Sequence, residues 1–137
     1  MNDVLFSSES IEWETPQWLF DQLNKEFNFT LDPCATRDNA KCKKYFTEGM
    51  DGLKQDWAGT VFCNPPYGRK IGLWVKKAFE EAQKGVIVVM LIPTRTDTKW
   101  FHAYIYGQAE IRFLKGRLKF GNSINSAPFP SMVVIFK

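Results

Sequence analysis

Asn64-Pro65-Pro66-Tyr67 is the string whose residue types and order carry the most chemistry. Two consecutive prolines fix the backbone and remove two N–H donors, so the Asn64 side-chain oxygen and the Pro65 carbonyl can aim at one point as acceptors. The matching donor is an exocyclic amino group. Such a nitrogen, in adenine for example, is a poor nucleophile because its lone pair is delocalised into the ring. Two acceptors on its protons favour a pyramidal nitrogen and release the lone pair for attack, which is electrostatic preorganisation applied to nitrogen. Tyr67 offers a flat face for an extruded base, a contact worth roughly 1–3 kcal/mol. The string fits adenine in DNA, adenine in RNA and the side-chain amide of glutamine, so it specifies a planar amino nitrogen more sharply than its carrier.

The elements around the string place it at the end of a buried strand. Thr60-Val61-Phe62-Cys63 is a continuous apolar run bounded by Gly59 and by the prolines, the pattern of a strand covered on both faces. From Lys70 to Lys84, Ile71, Trp74, Val75, Ala78, Phe79 and Ala82 share one helical face, and Gly85 stands where a C-terminal glycine belongs. Val86 to Ile92 reads as a second buried strand stopped by Pro93. Upstream, Trp18, Leu19, Leu23 and Phe27 recur at helical spacing over Gln17 to Phe27, with Thr15 as the expected cap and Pro16 in the first turn. Phe27 to Leu31 alternates and reads as a strand ending at Asp32, because Pro33 cannot extend a central ladder. Ala35 to Lys44 is polar and basic, and a loop through Gly49 and Gly52 follows Tyr45-Phe46. Thr98 to Tyr106 reads as a short helix, and Ile111 to Leu114 and Met132 to Phe136 as the last two strands. The alternation predicts an α/β fold with a mostly parallel sheet, helices on both faces and an antiparallel hairpin at one edge. Ligands of such sheets bind beyond the carboxyl ends of the strands, where Asp32, Asn64 and Pro93 would converge.

The chain has 137 residues, 45% hydrophobic and 24% charged, with 18 Lys and Arg against 15 Asp and Glu. That length suits a single domain over 1–137 with a real core. The net charge of +3 permits nucleic acid as a partner. The longest apolar run is far short of the roughly 20 residues that span a bilayer, and the N-terminus is acidic where a signal peptide is basic, so a cytoplasmic protein without membrane association is expected. Cys34, Cys42 and Cys63 form no C-x-x-C pair, and with His102 they make no zinc pattern. Reduced thiols and no metal are the expectation, with His102 on a helix surface.

Several short motifs in order resemble the small phage and prophage DNA N6-adenine methyltransferases that use S-adenosylmethionine. They run from Trp13-Glu14-Thr15-Pro16 through Leu31-Asp32-Pro33-Cys34-Ala35, Asp51-Gly52-Leu53, Gln55-Asp56-Trp57 and Phe62-Cys63-Asn64-Pro65-Pro66-Tyr67-Gly68 to Ala127-Pro128-Phe129-Pro130-Ser131. The resemblance implies a Rossmann-like methyltransferase fold of reduced size, bound S-adenosylmethionine, and adenine in DNA as acceptor, with Asn64, Pro65, Pro66 and Tyr67 as the catalytic string. It implies that Thr15-Pro16 meets the methionine end of the cofactor, whose carboxylate a helix N-terminus suits. Asp32 matches the acid that takes the cofactor ammonium or acts through a water. Pro33, Cys34 and Ala35 follow it without the glycine-rich turn of better-known methyltransferases, Ala35 still permitting close approach. Asp56-Trp57 resembles the acid-aromatic pair that holds the cofactor adenine, and Glu48 or Asp51 is the ribose-binding acid.

Base flipping needs groups that hold the DNA. Arg69, Lys70, Arg95, Lys99, Lys115, Arg117 and Lys119 flank the expected crevice, the last three in a loop suited to phosphate contact. Gly68 and Ser126 to Ser131 are candidates for mobile walls around the base. A separate target-recognition domain does not fit this length, so either low sequence specificity as a monomer or a homodimer with a larger footprint is expected. The competing readings are an RNA adenine or protein glutamine methyltransferase, and a non-catalytic DNA-binding module of antirestriction type.

Overall fold

The computed structural model describes residues 13–121 and 123–137, so the acidic N-terminal stretch lies outside the described residues. Helices α1 (Gln17–Phe27) and α2 (Ile71–Gln83) accompany six strands: β1 (Leu31–Asp32), β2 (Lys44–Tyr45), β3 (Thr60–Cys63), β4 (Ile87–Pro93), β5 (Glu110–Phe113) and β6 (Ser131–Phe136). The strand order is β2-β1-β3-β4-β6-β5. Strand β1 pairs in parallel with both β2 and β3, and β3 with β4, while β6 runs antiparallel between β4 and β5. The sheet is therefore mostly parallel with an antiparallel part, as the alternation predicts. The expected antiparallel pair stands at one edge, with β5 outermost and β6 joining it to β4. Every residue of β6 is buried and needs neighbours on both sides, whereas half-exposed β5 suits the edge.

Helix α1 has the expected bounds, but its start and its buried face differ from expectation. Pro16 occupies the N-cap position, its carbonyl accepting from the N–H groups of Leu19 and Phe20, and Thr15 does not cap the helix. The buried face is Leu19, Phe20 and Leu23. Trp18 is 60% exposed. The helix ends at Asn28 in the left-handed region, φ 57°, a conformation that asparagine tolerates. Strand β1 is consequently only Leu31–Asp32, shorter than the alternation of Phe27 to Leu31 suggests. Beyond β4, which runs to Pro93, the expected short helix is present and takes the wider π form over Phe101–Ile105, with Tyr106 N–H on the Phe101 carbonyl.

Residues Val88 to Ile92 and Met132 to Phe136 form the centre of the core. Against it α2 packs Ile71, Trp74, Val75 and Ala78, each aliphatic side chain contributing roughly 1.5–3 kcal/mol by burial. The same face buries Glu81, which is 2% exposed. One Glu81 oxygen accepts from the Trp57 N–H at 2.8 Å, and the other meets Lys84 Nζ at 3.0 Å and Lys77 Nζ at 3.4 Å. Burial pushes this carboxyl up, and the Trp57 N–H with the two ammonium groups more than offsets it, leaving Glu81 below the ordinary carboxylate range. Glu81 thus clamps α2 to the segment entering β3. Among the described residues no helix is long and apolar enough to cross a membrane, and no cluster of His, Cys, Asp or Glu has metal-binding geometry.

Glu81→Ala leaves the Trp57 N–H without its acceptor and Lys77 without its counter-ion. It should lower the unfolding free energy by about 3 kcal/mol in urea titration, with Glu81→Gln intermediate. A loss below about 1 kcal/mol would mean that solvent replaces the clamp.

Candidate active site

The strand order reverses at β1, which has β2 on one side and β3 on the other. A crevice opens at such a switch point beyond the carboxyl ends of the strands, and Asp32 and Asn64 stand at those two ends. Asn64 Nδ2 donates to the Trp13 carbonyl at 2.7 Å and to Thr15 Oγ1 at 2.9 Å. A carbonyl can only accept, so the amide nitrogen must face Trp13 and the oxygen must face away. Asn64 Oδ1 is buried without a partner among the described residues. Thr15 does not cap the helix; its hydroxyl accepts from this amide and so helps orient it.

An aromatic cluster holds the segments that make the amide site. The Trp13 ring lies edge-on to Phe120 and Phe129 at centroid distances of 5.4 and 5.0 Å, and Tyr67 lies edge-on to the same two rings at 6.1 and 5.7 Å. Tyr67 is buried, and its hydroxyl donates to the Leu91 carbonyl at 3.0 Å. Its ring is thus fixed within the core, and burial raises its phenol so that it stays protonated. Pro65 is buried and Pro66 half-buried in the same turn. The segment from Ser126 to Ser131 is likewise anchored: Ala127 is buried with its N–H on the Leu118 carbonyl, and Phe129 belongs to the cluster. This corrects the expectation of a mobile wall there.

Asp32 is 4% exposed, its oxygens accepting from Lys41 N–H at 3.0 Å and Cys34 N–H at 3.4 Å. Burial raises its carboxyl to about 6, against the lowering effect of those two N–H groups. A buried acid in that state gains most from a cationic ligand. Lys41, missed in the sequence, folds the basic loop over β1 through Gln17 Oε1 at 2.8 Å and Glu14 at 3.6 Å. Pro33 contacts Gly52 so closely that a side chain there would meet the Pro33 carbonyl, and Ala35 donates to the Phe46 carbonyl. The Cys34 thiol is pushed up to about 12 by burial and by the charges of Asp32 and Glu48, which places both acids around the end of β1. Burial likewise pushes Cys42 up to about 11 and raises Cys63, so all three free thiols are protonated.

Of the two candidate ribose acids, Asp51 uses one oxygen to accept from Leu53 N–H, whereas Glu48 is exposed. Asp56 and Trp57 are not brought to one point. Asp56 is exposed, and Trp57 is a core residue whose indole N–H donates to the Gly52 carbonyl and whose ring stacks on Trp74 with the Lys77 ammonium over its face. The expected pairing is therefore corrected: the ring that would lie beside a ligand is covered by protein.

Arg69, Lys70, Arg95, Lys99, Lys115, Arg117 and Lys119 are all exposed. They lie on the loops that follow β3, β4 and β5, which emerge at the same edge of the sheet because these strands run in one direction. Thr94 and Ser131 were not singled out in the sequence, yet each keeps a buried hydroxyl without a partner at that edge. Their position directly after one apolar strand and at the start of another is the available signal. His102 is exposed, with Nε2 2.8 Å from the Thr96 carbonyl.

A family model described as DNA N-6-adenine-methyltransferase (Dam) matches residues 5–137. The chain is 31% identical over 134 residues to the DNA N-6-adenine-methyltransferase of Haemophilus phage HP1, covering 91% of this chain and 78% of that protein. It is 31% identical over 109 residues to the DNA N-6-adenine-methyltransferase of Escherichia phage T1, covering 77% of this chain and 45% of that protein.

Because the folded Asp32 carboxyl sits at about 6 against an ordinary 3.8, the folded state binds its proton more tightly than the unfolded state. Its contribution is intact below pH 3.8 and is lost as pH rises through 6, a difference of about 3 kcal/mol. The stability of Asp32→Asn relative to the unaltered protein should therefore rise by about that amount between pH 4 and pH 7.5 in ligand-free urea titrations. Parallel stability curves would mean that Asp32 titrates normally.

Proposed function

The chain belongs to the DNA N-6-adenine-methyltransferase (Dam) family, and we propose that its crevice at the ends of β1 and β3 is where the transfer takes place. Its function is to transfer a methyl group to the N6 amino group of adenine in DNA. The observation that carries the assignment of the site is the buried, unpartnered Asn64 Oδ1, aimed by the two acceptors on its amide nitrogen.

The methyl donor in this reading is S-adenosylmethionine, held in a Rossmann-like arrangement. When bound, that cofactor supplies an electrophilic methyl group on its sulfonium. The residues at β1 suit it: Asp32 is a buried acid that favours the ammonium, and Glu48 at the same strand end is the acid free to accept from ribose hydroxyls. The Thr15 hydroxyl accepts from Asn64 and keeps its own proton for the methionine end of the cofactor.

The acceptor adenine leaves the DNA stack to reach Asn64, because the amide lies in a half-buried crevice that an intact duplex cannot enter. Asn64 Oδ1 and the Pro65 carbonyl accept from the two N6 protons and draw the nitrogen lone pair out of conjugation, ready for in-line attack. Tyr67 forms the wall that limits the base to one plane. The N6 proton leaves to solvent after transfer, so the chain needs no histidine near the nitrogen. The exposed cations on the loops after β3, β4 and β5 hold phosphates and set the approach of the strand. Work on DNA in a bacterial cytoplasm fits the phage origin of both relatives.

Asn64→Ala should lower the rate of N6-methyladenine formation in DNA by roughly 100- to 1,000-fold, as for removal of one preorganised group. Cofactor affinity, measured by calorimetry, should stay within about twofold. Thr15→Val should reduce turnover about tenfold and Thr15→Ser should restore it, because only the hydroxyl orients the amide. Turnover of Asn64→Ala at the normal rate would remove the mechanism.

A further inference from the structure

The only large aromatic ring on α1 that the core does not take is Trp18, and the structure builds a cleft around it. Trp18, Leu114, Lys115, Arg117, Leu118 and Lys119 line a cavity of about 350 Å³, within the size range of small-ligand sites. Leu118 is 6% exposed and anchored through its carbonyl by the Ala127 N–H, so the cleft has a fixed apolar floor. Its rim carries three cations and no acid. None of the three forms an ion pair among the described residues.

The cleft adjoins the amide site covalently. Trp18 follows Thr15 by three residues, and Thr15 Oγ1 holds Asn64, so at 3.8 Å per residue the Trp18 Cα is within about 11 Å of the Thr15 Cα. Along a DNA strand that is a span of about three nucleotides. The opposite wall is tied to the same segment by Gly121 N–H on the Glu14 carbonyl at 2.8 Å. We propose that this cleft binds a nucleotide of the substrate DNA strand near the target adenine, its base stacked on the Trp18 indole and its phosphates on Lys115, Arg117 and Lys119. This rests on the assignment of DNA as substrate. An apolar peptide would suit the floor but leave three cations unmatched, whereas a nucleotide matches both the ring and the charge. Stacking of this kind tolerates any base, so the cleft adds affinity and register without adding sequence preference.

Two properties separate the ring from the cations. Stacking has little dependence on salt, while each phosphate contact adds about 0.9 to the slope of log affinity against log salt for duplex DNA and about 0.7 for a single strand. Binding would be followed by fluorescence anisotropy of a fluorescein-labelled, adenine-containing DNA, as duplex and as single strand, from 50 to 200 mM NaCl. Trp18→Ala should weaken binding of at least one form on the order of tenfold at every salt concentration, with a matching rise in KM for DNA and an unchanged salt slope. Trp18→Phe should recover most of the affinity. Lys115→Ala, Arg117→Ala and Lys119→Ala should each lower the slope by about one contact. Tyr106→Ala, which removes another exposed ring well away from the cleft in sequence, serves as the control and should bind as the unaltered protein does.

Equal affinity of Trp18→Ala and the unaltered protein for both forms would overturn the proposal, as would a Tyr106→Ala loss equal to that of Trp18→Ala. The enzyme assignment fails separately, by absence of N6-methyladenine when the unaltered protein is incubated with S-adenosylmethionine and DNA.

Discussion

The arrangement at the carboxyl end of β3 depends on one side-chain amide being held by its nitrogen. Asn64 Nδ2 has two protons, and both are taken by acceptors that precede it by 51 and 49 residues. The result is an oxygen that is buried, turned away from Trp13 and without a partner among the described residues. Such an atom costs roughly 1–3 kcal/mol until a donor reaches it. The Trp13 carbonyl also explains why the residue is an amide rather than an acid: a carboxylate oxygen 2.7 Å from a carbonyl oxygen would have no proton between them. A neutral acceptor can then polarise an amino group without trapping a cation in its place.

Packing explains how segments so distant in sequence hold that geometry. Trp13, Tyr67, Phe120 and Phe129 come from four different stretches of chain and meet edge to face, an arrangement favoured by about 0.5–1.5 kcal/mol per pair beyond burial. Rings of this size have few rotamers, so the cluster fixes positions more sharply than aliphatic contacts would. The Tyr67 hydroxyl, on the Leu91 carbonyl, ties the same cluster to the end of β4. On the opposite side of Trp57, the Glu81 clamp holds α2 against the approach to β3. The turn carrying Asn64 is therefore fixed at both ends, by β3 before it and α2 after it.

Strand β3, helix α2 and the amide were legible in the sequence because each rests on local signals: an apolar run, a 3.6-residue period, two prolines. The switch point was legible in outline, since alternating elements demand a parallel sheet whose carboxyl ends hold Asp32 and Asn64. What stayed hidden depends on contacts between distant residues. Thr15 precedes a helix and reads as a cap, but the hydroxyl finds Asn64 instead, and sequence spacing carries no trace of that choice. Trp18 shares a period with Leu19 and Leu23, yet periodicity gives the phase of an apolar stripe and not its width, and Phe20 takes the buried place. Trp57 was read as a ring beside a ligand because an acid precedes it, although the stacking on Trp74 that covers it is equally consistent with the letters. The antiparallel pair of the last two strands at one edge was legible, whereas which of the two is outermost depends on the unbroken burial of β6 between β4 and β5.

Burial and exposure at one edge of the sheet then divide the work. Asp32 and Asn64 lie below the surface, where low dielectric makes a buried acid favour a cation and a buried acceptor favour an amino group. The cations proposed to meet DNA, Arg69 to Lys119, lie in solvent above, where each is worth little alone and only their summed field would steer a polyanion. The two groups could not exchange places. The cation nearest Asp32 in the chain's own fold, Lys41, is 9% exposed and turns its ammonium to Gln17 and Glu14, while an exposed Asn64 would bind water in preference to an amino group. A chain of this length achieves the separation by letting the strands end at one level, so that every loop after a parallel strand presents its charge at the mouth of the same crevice. The raised carboxyl of Asp32 follows from the same arrangement, because burial outweighs the Lys41 and Cys34 N–H groups and a lysine whose ammonium is turned to Glu14 and Gln17.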